Sequence, residues 1–131
     1  MNAAGAWAGA VAKTAGVDLP IAPTKRQVSI LETNYRGEKT LPVLFLPSGL
    51  YLIHEGGGLF MCGKSFPDDH VGTDDFRWER GRFEQVIWPE LVEYVPSFDR
   101  LKILRGWAGL YEVNTLDGNA ILGEWHGLQG F

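Results

Sequence analysis

Few residues of this chain are typed and spaced for chemistry. Cys62, the single cysteine, sits in the apolar run LFMCGKS, where a small buried thiol is expected rather than a nucleophile. His54, His70 and His126 are scattered, and no H-E-x-x-H or C-x-x-C spacing offers ligands to a metal. The three glycines at 56–58 fall between two strand-like runs and lead into no helix, so they read as a turn and not as a phosphate cradle. Asp117, in TLDGN, reads as a turn residue whose carboxylate fixes the local backbone. The segment RGWAGLY, residues 105–111, is the most suggestive. A glycine inside a strand, here Gly109 between Trp107 and Tyr111, marks a bulge or the close approach of another surface.

Composition limits what these residues can serve. The 131 residues fit one domain, with 45 % hydrophobic and 21 % charged residues, as in an ordinary globular protein. A net charge of −4 without a basic stripe argues against nucleic acid as a partner. Apolar runs such as LPVLFLP are too short to cross a bilayer, so no membrane partner is expected. The opening MNAAGAWAGAVAKTAG has no charged side chain before Lys13 and lacks the basic start and long apolar core of an export signal. A cytoplasmic protein is expected.

The elements that must hold these residues follow from periodicity. Trp7, Ala10, Val11 and Ala15 share one face of a helix over 6–16, which Gly16 ends, and NAAG before it is a tight small-residue turn. VDLPIAP breaks the helix, and KRQVSILET is a strand with Val28 and Ile30 on one face. VLFLPSGLYLIHEGGGLFMCGKSF supplies three short strands, with LYLIH and LFMCG as a hairpin across Glu55 to Gly58. Asp74 or Asp75 is placed to cap a helix running to about Tyr94, with Phe83, Val86, Ile87 and Leu91 as its buried stripe and Pro89 as a kink or a second start. RLKILRGWAGLYEVN is a long strand, NTLDGN a turn and AILGEW a last strand. This order predicts an α+β domain: a largely antiparallel or mixed sheet with helices packed on one face.

Three stretches, taken in order and spacing, resemble the FAD-dependent oxidoreductase family of D-amino-acid oxidase, glycine oxidase and sarcosine oxidase. Asn2-Ala3-Ala4-Gly5-Ala6-Trp7 is similar to the element that ends the family's flavin-binding half. Tyr51-Leu52-Ile53-His54-Glu55, with its glycine-rich turn and Cys62-Gly63, is similar to the family's hairpin. Arg105 to Tyr111, followed by Thr115 to Gly123, is similar to its "RxWAGxY…TPDGxPxxG" strand and turn. WAGLYEVNTLD and VIWPELVEYVPSF suit the FAD-dependent oxidoreductase-domain subgroup best. Ile53 and His54 stand where the hairpin often carries arginine and proline, and Leu116 and Ala120 replace two prolines of the turn.

The resemblance implies a substrate-binding domain over 17–131 preceded by a remnant of the flavin-binding half over 1–16, within a protein roughly three times longer. It implies FAD in that parent protein, a small amine or amino-acid substrate, and hydride transfer to flavin from the carbon next to nitrogen. The chain carries no G-x-G-x-x-G for the pyrophosphate, so alone it is expected to bind no FAD, to be inactive and to self-associate in place of the flavin-binding half. Tyr51, Arg105, Trp107 and Tyr111 are then the substrate-facing candidates, and Ala4, Gly5, Trp7, Ala108 and Gly109 the cofactor-facing ones. The rival expectation is a free-standing α+β module that binds a small ligand or dimerises through its sheet.

Overall fold

The computed structural model describes residues 1–130 and divides the chain into two compact units. The smaller comprises Met1–Lys25, Asp69–Asp75 and the chain from Leu110; the larger comprises Arg26–Asp68 and Phe76–Gly109. The five strands are β1 (Ile21–Glu32), β2 (Leu44–Phe45), β3 (Tyr51–Gly56), β4 (Leu59–Gly63) and β5 (Lys102–Asn114), in the sheet order β2-β3-β4-β1-β5. β2–β3, β3–β4 and β4–β1 are antiparallel. Among the described residues no helix is long and apolar enough to cross a membrane.

The predicted hairpin is present. β3 and β4 pair around a two-residue turn at Gly57 and Gly58, with a bulge between His54 and Gly56. Gly56 and Gly57 adopt φ of 109° and 55°, which side chains other than hydrogen rarely accept. Gly58 is needed for another reason: a Cβ there would lie 2.5 Å from the Thr33 carbonyl oxygen, because the end of β1 rests on the turn.

Register decides which face is buried. Cys62 pairs with Leu52 and Ser29, and Phe60 with His54 and Leu31, so these rows point to one side. There they join Phe83, Ile87, Leu91, Phe98 and Leu101 in a single apolar core. The opposite rows are Tyr51–Gly63–Val28 and Ile53–Met61–Ile30. Val28 and Ile30, grouped correctly on one face, therefore lie on the face away from the core and are only half-buried. β1 also starts earlier than the prolines suggested, at Ile21. Pro23 is tolerated because its carbonyl accepts a hydrogen bond from the Gly72 amide while its own missing N–H removes nothing from that contact.

The helical segment of the larger unit runs as α2 (Arg80–Arg82), a π-helical turn at Phe83–Ile87, and α3 (Trp88–Tyr94). It starts later than expected. Asp75 pairs with the buried Lys25 at 2.8 Å and Asp74 with His70 at 2.8 Å, so neither caps a helix. Instead the Glu79 amide donates to Oε1 of Gln27 on β1. The π turn precedes Pro89, which cannot donate an i→i−4 bond. Phe83, Ile87 and Leu91 are buried as predicted, but the wider turn leaves Val86 43 % exposed.

In the smaller unit, a 3₁₀ turn (Gly5–Trp7) leads into α1 (Ala8–Thr14), and Gly16 ends it at φ 73°. The 3₁₀ turn buries Ala6 and α1 buries Ala12, whereas Trp7 and Val11 are exposed. A Cβ at Gly9 would meet the Ile21 carbonyl oxygen at 3.2 Å, so small residues let this turn lie against β1. AILGEW forms no strand: Leu122 is 90 % exposed, and the segment finds no ladder partner among the described residues.

Two expectations follow from the packing of the larger unit. Glu90 of α3 takes hydrogen bonds from Lys64 (2.5 Å) and Ser48, with Lys64 and Glu90 side chains only 14 % and 16 % exposed. Burial alone raises the Glu90 carboxyl, but the hydrogen bonds from Lys64 and Ser48 and the Lys64 charge hold it below its usual value. A carboxyl lowered by folding stabilises above its unfolded value of about 4.3 and loses that contribution as pH falls through the lower folded value. Lys64→Met should therefore cost about 2 kcal/mol at pH 7, and the gap to wild type should shrink below about pH 4. Urea melts at pH 7 and pH 3 measure this; a gap independent of pH contradicts it. In β5, a Cβ on Gly106 would sit 2.0 Å from Cε2 of Trp78, whose indole lies on the strand backbone. Gly106→Ala should cost about 1–3 kcal/mol through overpacking. Trp78→Leu in the same chain should relieve part of that cost, a coupling that a double-mutant cycle reads directly.

Candidate functional site

In the larger unit, two groups of predicted site residues lie on the sheet. Tyr51 is on the face away from the helices, half-buried, with its ring laid across Gly63. A Cβ on Gly63 would meet the Tyr51 hydroxyl at 2.5 Å and the Gln27 carbonyl oxygen at 2.9 Å. The cross-strand pairing of Tyr51 with Gly63 makes this possible, since only a glycine leaves room for the ring to lie flat. Phe45, paired with Tyr51 on β2, leans against it at 6.2 Å and is 73 % exposed. Val28, Ile30, Ile53 and Met61 complete a half-buried apolar face.

The second group is on β5. The Arg105 guanidinium stands over the Trp107 ring at 5.6 Å, and alternation puts Arg105, Trp107 and Gly109 on one side of the strand. Trp107 is 43 % exposed, Arg105 is exposed, and Ala108 and Gly109 are half-buried. Gly109 does not have positive φ, and a Cβ there would meet nothing within 4 Å. No left-handed bulge residue is needed at Gly109. The close approach that a strand glycine signals is found at Gly106, under Trp78, which the sequence reading missed. The two residues are far apart in the chain, and no local pattern connects them. β4 and β1 separate β3 from β5, a spacing of about 14 Å, so Tyr51 is not brought to Arg105 and Trp107.

The smaller unit holds the remaining candidates. Ala4, Gly5 and Trp7 form one turn. Asn2 Oδ1 accepts from the Ala4 amide at 3.2 Å, Asn2 Nδ2 donates to the Ala8 carbonyl at 2.9 Å, and the Trp7 amide donates to the Ala4 carbonyl at 3.1 Å. Gly5 adopts φ 55°, beside the Glu112 carboxylate of β5. Trp7 and Gly9 line a cleft of about 430 Å3 with Lys13, Asp18 and Thr115. Tyr111 is exposed. Asp117 is a turn residue as predicted: it accepts from the Asn119 amide at 3.0 Å and from Asn114 Nδ2 at 2.8 Å. The Asn119 hydrogen bonds hold its carboxyl below the usual range.

Burial pushes the Cys62 thiol up to about 12, which leaves it protonated and inert at neutral pH. Among the described residues, no three His, Cys, Asp or Glu side chains gather as metal ligands. The arrangement offers instead an exposed cation stacked on an indole, an open strand backbone beside them, and an apolar sheet face.

Comparison with known proteins defines the setting. The chain is 34 % identical over 136 aligned residues to FAD-dependent oxidoreductase domain-containing protein 1 of Bos taurus, covering 94 % of this chain and 28 % of that protein. It is 29 % identical over 107 residues to glycine oxidase of Pseudomonas putida, covering 82 % of this chain and 27 % of that protein. This chain thus spans less than a third of the length of these curated relatives. Among solved structures, L-proline dehydrogenase from P. horikoshii matches 94 % of the chain and 33 % of its own at TM-score 0.76 and 28 % identity. Glycine oxidase from Geobacillus kaustophilus shares the fold over 98 % of this chain and 33 % of its own, at TM-score 0.75 and 24 % identity. The family model for FAD dependent oxidoreductases matches residues 1–131 throughout, and this chain belongs to that family.

Proposed function

We propose that this chain is the substrate-binding part of an enzyme that oxidises a small amine or amino acid, and that it is inactive by itself. Its membership of an FAD-dependent family supplies the cofactor class, and relatives named for glycine and L-proline supply the substrate class. When bound, FAD accepts a hydride from the carbon next to the substrate nitrogen. In this reading residues 1–16 end the flavin-binding half and 17–131 are the substrate-binding domain.

The observation that carries the reading is the β5 face. Arg105 is held over Trp107, so its planar guanidinium is oriented to take a substrate carboxylate. Trp107 gives the cavity wall its shape and excludes water from the reacting carbon. Gly109, with nothing within 4 Å of where a Cβ would stand, leaves the strand backbone open to a flat ring. Tyr111, in the smaller unit, and Tyr51, across β4 and β1 from β5, are assigned to the substrate side separately from this face. Ala4, Gly5 and Trp7 are assigned to the cofactor side. The residues present fit the ring end of the cofactor only, because no G-x-G-x-x-G stands ready for its pyrophosphate.

Three measurements test this. FAD titrated into the isolated chain should keep its free fluorescence, and a yellow preparation with stoichiometric flavin would overturn that expectation. The isolated chain should sediment as a dimer or larger at micromolar concentration, because Trp107 and Tyr111 are exposed; a clean monomer counts against an unsatisfied flavin-facing surface. In a longer protein that carries this chain with a flavin-binding half, Gly109→Val should lower flavin occupancy or turnover about tenfold or more with the melting temperature little changed, as valine suits a strand. Tyr111→Phe should alter turnover or substrate affinity with flavin content intact. Normal flavin and turnover in Gly109→Val would show that β5 does not face the cofactor.

A further inference from the structure

His54 lies on the core face of β3, only 7 % exposed, and both ring nitrogens are committed. The Leu41 amide donates to Nδ1 at 3.0 Å, which requires Nδ1 to carry a lone pair. Nε2 lies 2.9 Å from the Gly57 carbonyl oxygen, an acceptor only, so Nε2 carries the hydrogen. The bonds together specify one neutral tautomer. They also join three places: the strand, the β3–β4 turn, and the loop between β1 and β2. That loop is also held at its start, where the Thr33 amide donates to the Gly58 carbonyl and Tyr35 packs on Phe60, and at its end by the short β2 ladder.

From this geometry we infer that His54 is a proton-operated latch: uptake of a proton at Nδ1 releases Leu41 and frees the 34–43 loop from the sheet. A proton taken from solvent at Nδ1 would face the Leu41 N–H, donor against donor, and the amide would lose its only described partner. The charged ring would also be confined by the Tyr35 ring edge-on at 5.1 Å and the Phe60 ring stacked at 4.7 Å, neither of which carries a counter-charge. No carboxylate pairs with His54 among the described residues. The charged groups around it are Arg36, held on the Thr33 and Tyr35 carbonyls beside the turn, Lys39 on the loop, and Glu55, the next residue, which is exposed. Tyr35, the titratable ring facing it, donates its hydroxyl to the Lys39 carbonyl.

The consequence is local and specific. Leu41, Pro42 and Leu44 form one wall of an apolar cavity of about 370 Å3, with Leu52, Phe60 and Phe98 opposite. Releasing Leu41 opens that wall onto the Phe60 and Phe98 rings at the edge of the core. Histidine is the side chain whose charge ordinarily changes between about pH 5 and 8, which sets the range of the experiment.

The test is hydrogen exchange at the Leu41 amide in the 131-residue chain between pH 8 and pH 5, after division by the intrinsic exchange rate. Protection should fall about tenfold for each pH unit once the ring takes up its proton, while protection of the Phe60 and Cys62 amides stays constant. In His54→Asn, whose carboxamide oxygen can accept from Leu41 and does not titrate, protection at Leu41 should be flat with pH. Unchanged protection in wild type, or an equal fall in His54→Asn, overturns the latch. The ring 15N shifts of wild type give an independent reading should the variant fail to fold. Hydrogen on Nε2 and none on Nδ1 at pH 8 is expected, and the Nδ1–H form would overturn the assignment.

Discussion

One face of the sheet is consumed by a single interaction, and the rest of the molecule's options follow from it. Phe83, Ile87 and Leu91 pack on Leu31, Leu52, Phe60 and Cys62, closed at one end by Phe98 and Leu101. Fully burying side chains of this size contributes about 1.5–3 kcal/mol each before conformational entropy is counted. Because side chains alternate along a strand, committing His54, Phe60 and Leu31 to the helices forces Ile53, Met61 and Ile30 to the other side. A register slip of one residue would exchange the two sets. The apolar second face is therefore a necessary product of the core.

Polar contacts then set where each piece stops. Gln27 receives the Glu79 amide and Glu90 receives Lys64 and Ser48, so β1, the residue after β4 and the turn before β3 each hold the helical segment by one directed bond. In the smaller unit Lys25 is buried against Asp75, and breaking one partner of such a pair is far more costly than the pair is favourable. Asn114 does the same at the end of β5, holding both Asp117 and the Asn119 carbonyl. These contacts add little area, but they choose one arrangement among those the apolar pattern would permit.

What the sequence made legible divides along this line. The hairpin, β5, α1 and the Phe83–Ile87–Leu91 stripe came from local periodicity and turn chemistry, which are short-range and therefore readable. The start of the helix at Arg80 did not, because the acceptor at Gln27 is on another strand and the aspartates that looked like caps bond Lys25 and His70. The exposure of Val86 depends on a π turn that shifts the helical phase before Pro89. Trp78 on Gly106 and Tyr51 on Gly63 are side-chain placements over a neighbour's missing Cβ, visible only once register is known. Among candidate site residues, Arg105 and Trp107 do meet, whereas Tyr51 stands with two strands between.

The central proposal is that the exposed stretch of β5 carrying Arg105 and Trp107 meets flavin and substrate. Hydroxyl-radical footprinting of a longer protein carrying this chain and a flavin-binding half, with and without FAD, addresses it directly. The account predicts that FAD lowers oxidation of Trp107 severalfold while Trp88, on the helical side, is labelled equally in both states. Equal labelling of Trp107 with and without bound flavin would contradict it.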